Sequence, residues 1–474
     1  MKIIILGAGQ VGTSVAESLV SEANDITVID QDIDRLSRLQ DILDLRTVAG
    51  NAASPSVLSE AGAAEADLLI AVTQSDQTNL CACRIAKTLF NLPTRIARVR
   101  STDFVQYPEL LNAENFAVDF SLCPEQIVTD YIVKLIEFPE ALQVLEFARG
   151  KVTLVAVRAF EGGPLVGHPL QEIRAHIPQV DARVAAIYRR DTPIIPEGDT
   201  IIEPGDEVFC LAAAENIRRV MRELRRGDRP VRRIMIAGGG NIGFRLSRAV
   251  EERCQVKLIE RDKRRAGWLA RNLRSTLVLN GDATDERLLE AENIDGMDMF
   301  LALTNDDENN IMSALLAKRM GAARVLSLIN RRAYVDLVQA GEIDIAISPA
   351  QASIGTLLAH VRRGDVAAVH SLRRGAAEAL EIVAHGDAKS SQVVGRRVGE
   401  IKLPKGVTLA ALVRSTTQPE AAVSGELSLV PGYRVIVAHH ETVIEPDDHV
   451  IVFAVSKRLV PKVEKLFQVG FGFF

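Results

Sequence analysis

The segment Ile4-Ile5-Leu6-Gly7-Ala8-Gly9-Gln10-Val11-Gly12 recurs as Met235-Ile236-Ala237-Gly238-Gly239-Gly240-Asn241-Ile242-Gly243, 231 positions further along the chain. Three more blocks keep nearly the same spacing. Ile26–Asp30 returns as Val256–Glu260, Gly50-Asn51-Ala52 as Gly281-Asp282-Ala283, and the Thr73-Gln74-Ser75-Asp76 block through Asn79 as Thr304-Asn305-Asp306-Asp307 through Asn310. Four blocks held in register across more than two hundred residues mark a tandem duplication, so any fold for the chain must be built twice. The stretches after the glycine-rich halves repeat as well. Thr200–Val208, with Glu203-Pro204-Gly205-Asp206, matches Thr442–Val450, with Glu445-Pro446-Asp447-Asp448, at the longer spacing of 242. The extra residues of the second copy are expected between Ser415 and Tyr433.

Each glycine-rich unit reads as strand, GxGxxG turn, helix, strand and carboxylate, the dinucleotide-binding βαβ pattern. Gly7 permits the tight turn, Gly9 leaves bare backbone for a pyrophosphate, and Gly12 lets helix and strand approach. Ala8, Gln10 and Val11 complete the loop. The helix N-terminus then offers free N–H groups to phosphate. Asp30 and Glu260, which end the second strands, are placed to accept from ribose hydroxyls, and a carboxylate there disfavours a 2′-phosphate. NAD(H) or an adenine nucleotide, ATP or ADP, is the ligand class that fits. The second loop supplies Gly238, Gly239, Gly240, Asn241, Ile242 and Gly243.

Further along, the apolar strands 68–72 and 299–303 end at Thr73 and Thr304, with Gln74 and Asn305 next. Thr73 and Gln74 are candidates for ribose or phosphate, while helix capping explains Ser75, Asp76 and Asp306 equally well. Asn51 and Ala52, with Asp282 and Ala283 in the second copy, are further candidates from the repeated Gly-Asn-Ala and Gly-Asp-Ala block. Arg98 stands inside an apolar strand, where its charge needs a partner: either a ligand phosphate or a neighbouring carboxylate. Its counterpart is Ser327, so the two clefts are not expected to bind identically.

The fold class expected is α/β: two Rossmann-like, doubly wound parallel-sheet domains, each followed by a small α+β module. The boundaries are 1–138, 139–225, a linker at 226–231, 232–364 and 365–474. The stretch from Arg222 to Arg233 holds six arginines and reads as a solvated joint. A net charge of −6 and an aromatic content of 4% argue against nucleic acid as a partner. The longest apolar run, Val208–Ala214, is far short of the ~20 residues of a spanning helix. The N-terminus reaches Gly7 before a signal-peptide core could develop. Five cysteines without a CxxC pair suit a reducing, cytosolic setting. HExxH, EF-hand and zinc spacings are missing, so no metal site is expected, and without GxxxxGK[ST] no Walker-type ATP hydrolysis is expected.

The Gly7–Gly12 loop with Asp30, the Thr73–Asn79 block, Arg98 and their second copies resemble tandem RCK domains, the nucleotide-binding regulators of potassium channels and transporters. Over essentially its whole length the chain is similar to the tandem-RCK regulatory subunits of potassium uptake systems. Gly281-Asp282-Ala283-Thr284 matches that family's turn; the first copy departs from it as Gly50-Asn51-Ala52-Ala53. The resemblance implies a non-enzymatic cytosolic subunit, peripheral on the inner face of the cell membrane. It would dock on an integral-membrane potassium transporter subunit, bind NAD(H) and ATP or ADP, and assemble as a homo-oligomer, a tetramer in the family. It also implies pairing through helices near Glu125–Ile136 and Ala350–Val361. Two rivals stand beside it. A regulator of another cation transporter would carry the same clefts. An NAD-dependent dehydrogenase would need an acid or base beside the nicotinamide, yet all eight histidines fall outside the glycine-rich cores.

Overall fold

A computed structural model describes residues 1–20, 24–101, 104, 106–190, 192–225, 230–331, 333–334, 338, 343–361, 366–372, 377–421 and 427–469. Of the expected linker, residues 226–229 lie outside that set. The chain divides into two compact units, one formed by Met1–Asp130 with Arg232–Leu357, the other by Tyr131–Val231 with Leu358–Phe474.

The first unit contains both glycine-rich copies. Strands β1 (Lys2–Leu6), β2 (Asp25–Asp30), β3 (Arg46–Ala49), β4 (Leu68–Ala71), β5 (Thr94–Arg98) and β6 (Phe120–Leu122) form a sheet in the order β3-β2-β1-β4-β5-β6. Every pairing in it is parallel. This is the doubly wound order, whose reversal between β1 and β4 opens a crevice at the strand C-termini. β1 and β4 are buried nearly throughout, as strands covered on both faces must be, which is why they read as unbroken apolar runs. Helices begin where the sequence supplies caps: Asp32 accepts from Arg35 N to start Ile33–Ile42, and Ser75 accepts from Thr78 N to start Asp76–Phe90.

After the first sheet come β7 (Ala141–Phe147), β8 (Val152–Arg158), β9 (Ala182–Arg189), β10 (Thr192–Ile194) and β11 (Glu207–Ala213). The second copy of the glycine-rich sheet is β12 (Arg233–Ala237), β13 (Gln255–Glu260), β14 (Leu277–Asn280), β15 (Met299–Ala302), β16 (Arg324–Leu328) and β17 (Ile345–Ile347), in the equivalent order β14-β13-β12-β15-β16-β17. β18 (Val366–Leu372), β19 (Ala377–Ala384), β20 (Val407–Ala421), β21 (Leu427–Val437) and β22 (Asp448–Ala454) complete the chain.

In the second unit the two antiparallel sheets run β7-β8-β11-β9-β10 and β18-β19-β22-β20-β21, the same topology twice. The repeated Glu-Pro-x-Asp turn has one physical task in both. Asp206 and Asp448 are almost fully buried, accept from the backbone N–H of Glu203 and Glu445, and pair with Arg189 and Arg414 at 2.9 and 2.8 Å. Gly205 and Asp447 take the left-handed conformation between them. The additional length of the second copy is a longer hairpin: β20 and β21 have 15 and 11 residues, where β9 and β10 have 8 and 3.

The two sheets of this unit share one apolar core, in which Phe209 and Phe453 lie 5.7 Å apart. A buried carboxylate joins them. Glu381 accepts from Ala148 N at 2.7 Å and from His449 Nδ1 at 2.5 Å, while His370 Nε2 donates to Glu146 O at 3.1 Å with its ring edge-on to Phe147. The hydrogen bond to Glu381 raises the His449 pKa, whereas burial lowers that of His370. A raised imidazole pKa gives stability that is complete below the unfolded value near 6.5 and lost as pH climbs through the folded value. Melting temperature should therefore fall more steeply for the native chain than for His449→Gln as pH is raised above the unfolded value near 6.5, measured by scanning calorimetry. Parallel slopes would refute the linkage.

Candidate functional site

The glycine-rich turn of the first copy is built by three different constraints. Gly7 has φ +102° and donates its N–H to Ile29 O at 2.7 Å, tying the end of β1 to β2. Gly12 sits so close beneath the turn that a Cβ would lie 1.8 Å from Gly7 O, whereas a Cβ on Gly9 would meet nothing within 4 Å. One glycine is thus required by packing and the other leaves open space facing the cleft. The Asp30 carboxylate closes the arrangement. Its Oδ2 accepts from Ala8 N at 2.6 Å and its Oδ1 from Asp32 N at 3.0 Å.

The second copy repeats this geometry with one compensated change. Gly238 has φ +105°, a Cβ on Gly243 would lie 2.0 Å from Gly238 O, and Gly240 is open. Glu260 is one methylene longer than Asp30, yet its Oε2 still accepts from the loop, at Gly239 N, 2.8 Å away. A Cβ on Gly239 would lie 2.2 Å from Leu269 Cδ1 and 3.0 Å from Glu260 Oε2. A methyl such as Ala8 carries would thus require Leu269 and Glu260 to shift if placed on Gly239. Arg265 Nε donates to Gly239 O at 2.8 Å, with its guanidinium 4.3 Å from the Trp268 ring.

Thr73 and Thr304 do structural work that their motif did not disclose. Asn79 Oδ1 accepts from Thr73 N and Oγ1 at 3.0 and 2.7 Å, and its Nδ2 donates to Thr73 O and Arg98 O. Asn310 makes the same four bonds to Thr304 and to Leu328 O. Both asparagines are fully buried and join the ends of two strands to a helix. Of the candidate caps, Ser75 and Asp306 cap their helices, while Asp76 and Asp307 accept backbone N–H groups from the loops after β5 and β16.

These elements open onto a cavity of about 1110 Å³. Gly7, Ala8, Gly9, Gln10, Val11, Asp30, Asn51, Ala52, Thr73, Gln74 and Arg98 line it, and so do Gly240, Asn241, Ile242, Thr304 and Asn305 of the second copy. The two clefts therefore share one space. Other candidates serve behind the wall. Gly12 and Gly243 are packing positions, Gly238 and Gly239 shape the turn, and Glu260 anchors it. Asp282 Oδ1 accepts from Thr284 N and Oγ1, which holds its carboxyl below the ordinary aspartate range, and Ala283 packs against the core of its own domain. Asn51 makes the corresponding turn bond to Ala53 N. Among the described residues no helix is long and apolar enough to cross a membrane, and no cluster of three or more His, Cys, Asp or Glu converges to hold a metal.

The alternative partner for Arg98 is present. Its Nη2 donates to Glu125 Oε1 at 2.9 Å, and both side chains are largely buried at the cavity wall. Glu125 was not among the residues expected at the site. The register of the paired strands matches Arg98 to Leu328 and Ala97 to Ser327, which moves the expected counterpart by one residue. Aligning the copies could have found Glu125, because Pro124-Glu125 corresponds to Pro349-Ala350 and loses its acid where Arg98 gives way to Leu328. Arg35, also on the wall, was missed for a similar reason, as an ordinary helical arginine paired with Asp32. The two copies are tied directly by Arg245, which donates to Gln126 Oε1 at 2.7 Å and to Arg100 O at 2.8 Å.

Residues 3–118 and 234–349 match the TrkA-N domain family, and residues 154–225 match the TrkA-C domain family. The Trk system potassium uptake protein TrkA of Halomonas elongata is 57% identical over 474 residues, covering 100% of both chains. That of Vibrio alginolyticus is 56% identical over 469 residues, 99% of each. The fold is similar to the crystal structure of the GsuK RCK domain, with a TM-score of 0.60 at 17% identity over 98% of this chain and 94% of that one. The GsuK channel bound to NAD gives 0.60 at 16% identity, over 98% and 78%. Tandem doubly wound sheets, two carboxylate-anchored glycine turns and relatives that match from end to end agree: the chain belongs to the family of the Trk system potassium uptake protein TrkA.

Proposed function

We propose that the chain is the cytosolic, nucleotide-binding regulatory subunit of a potassium uptake system, peripheral on the inner face of the membrane and docked on an integral-membrane potassium transporter. The observation that carries this reading is the pair of glycine clefts opening onto one cavity, each with bare backbone at Gly9 or Gly240 and an acid at Asp30 or Glu260. Full-length similarity to potassium uptake proteins supports the partner, and the shared fold of the NAD-bound GsuK channel supports the ligand class. NAD(H), ATP and ADP share the adenosine, ribose and phosphate groups such a cleft recognises. Phosphates lie on the Gly9 backbone, and ribose hydroxyls compete with Ala8 N for the Asp30 carboxylate. Within this scheme residues 1–138 and 232–364 are the sensors, 226–231 is the joint, and 139–225 and 365–474 are the modules that follow them, in a homo-tetramer. Thr73, Gln74, Asn51 and Ala52, with Thr304 and Asn305, form the cleft walls beside the ligand. A binding role is favoured over a dehydrogenase by full-length similarity to potassium uptake proteins.

Regulation follows if a nucleotide prefers one closure of the clefts; equal affinity for both would change nothing. The test is rubidium uptake in cells from which the gene has been deleted and then restored. Uptake should fall on deletion and return with the native gene. Asp30→Ala, which removes the ribose acceptor and the Ala8 anchor together, should weaken NADH binding by about 1–3 kcal/mol and restore little uptake. Full rescue by Asp30→Ala would remove the nucleotide from the mechanism, and normal uptake in the deletion strain would remove the potassium transporter.

A further inference from the structure

The first cleft contains a charge arrangement that the second lacks altogether. Arg98 and Glu125 form an ion pair with side chains only 15% and 13% exposed, on the wall of the shared cavity. The guanidinium is incompletely satisfied, since its Nε is buried without a hydrogen-bond partner. At the equivalent places the second copy has Leu328, which also lines the cavity, and Ala350. Both members of the pair are thus replaced together, as expected of groups that need each other: a buried charge left alone is costly. Glu125 lies in the first turn of the Pro124–Glu137 helix, and its neighbour Gln126 is the residue that Arg245 of the second copy holds.

We propose that Glu125 is a built-in counter-anion that occupies Arg98 until a nucleotide phosphate displaces it, so that it sets the first cleft's selectivity by ligand charge. A carboxylate and a phosphate oxygen offer a guanidinium the same kind of acceptor, and Arg98 already stands at the wall where phosphates would arrive. With Glu125 in place, a weakly charged ligand gains nothing from Arg98, and only a multiply charged phosphate outcompetes the internal acid. Exchange of partners releases the first turn of the helix from β5, beside the point where the two copies are tied. In the second cleft the leucine and alanine give neither a cation to recruit phosphate nor an acid to oppose it. Glu125 acts through Arg98 and is a positioning residue. The proposal rests on the nucleotide reading of the clefts.

The test uses the full-length chain carrying Gly240→Val, so that binding reports on the first cleft, and titrates adenosine, AMP, ADP and ATP by calorimetry. Glu125→Gln frees the cation and should tighten ADP and ATP by about tenfold or more while changing adenosine less than about twofold. Glu125→Asp, which keeps the acid, should retain the native series. The double variant Arg98→Gln with Glu125→Gln leaves no buried charge, so it tests the idea even if the single variant folds poorly, and its affinities should vary least along the series. Equal tightening of adenosine and ATP, weakening of every ligand, or a double variant that keeps the native charge dependence would overturn the proposal while leaving the clefts as nucleotide sites. Absence of binding by all four ligands to the Gly240→Val chain with Arg98 and Glu125 intact would overturn the nucleotide reading and this proposal with it.

Discussion

Gly9→Val should abolish nucleotide binding at the first cleft without unfolding it, and Gly12→Ala should do nearly the reverse. A Cβ on Gly9 meets no protein atom within 4 Å, so a branch there starts in open space and the fold should tolerate it. The same open space is where the pyrophosphate would approach the backbone, and a branched side chain there excludes it. Affinity for NADH should drop at least about a hundredfold, or ~2.7 kcal/mol. On Gly12 even a methyl would start 1.8 Å from Gly7 O, a backbone atom that cannot rotate aside. Helix and turn must separate, at a cost of about 2–4 kcal/mol in urea unfolding. Fluorescence titration with NADH, run beside urea denaturation for both variants, separates the two effects. If Gly9→Val bound NADH as tightly as the native chain, with the second cleft silenced by Gly240→Val, the phosphate would have to lie elsewhere.

Asn79→Ala should be among the most damaging substitutions in the first unit, although the residue touches no ligand in the scheme above. Its amide satisfies Thr73 N, Thr73 Oγ1, Thr73 O and Arg98 O from a site with no solvent exposure. Alanine strands the backbone N–H after β4 and the carbonyl at the end of β5, each costing about 1–3 kcal/mol when buried and unpaired. The expected loss is about 3–5 kcal/mol, or roughly 10 °C in melting temperature for a unit of this size. Asn79→Asp retains the acceptor and loses the donor, so it should fall between. A shift of less than about 2 °C for the alanine variant would mean that water replaces the amide.

Much of this architecture was legible because duplication gives one sequence two chances to show each constraint. Gly7, Gly9 and Gly12 return as Gly238, Gly240 and Gly243, and the structure gives each pair the same φ, clash or open space. Asp30 and Glu260 were placed at the ends of their strands by pattern alone. Their bonds to Ala8 N and Gly239 N were not legible, because a strand-end acid looks the same whether it faces a ribose or its own loop. Asn79 and Asn310 illustrate the opposite limit. Their repetition was visible, but a repeated polar residue beside a cleft reads equally well as a ligand contact and as a buried bracket. The Arg98–Glu125 pair escaped because its members lie 27 residues apart, on a strand and a helix that only the fold brings together. The shared cavity escaped for the same reason on a larger scale, since nothing in either copy states that the two face each other.

Arg245 shows what a fused duplicate can do that two separate polypeptides cannot. Its equivalent in the first copy is Ser14, and the equivalent of its acceptor Gln126 is Gln351. In a dimer of identical subunits any substitution at a self-complementary contact appears at both ends, so a change that suits one end is imposed on the other. Joining the copies in one reading frame lifts that obligation. One end has an arginine that reaches Gln126 and Arg100, while the other has a serine, a side chain too short to span both bonds. Selection can then specialise one half as a receptor and the other as its support, while every assembled particle still inherits both in fixed proportion.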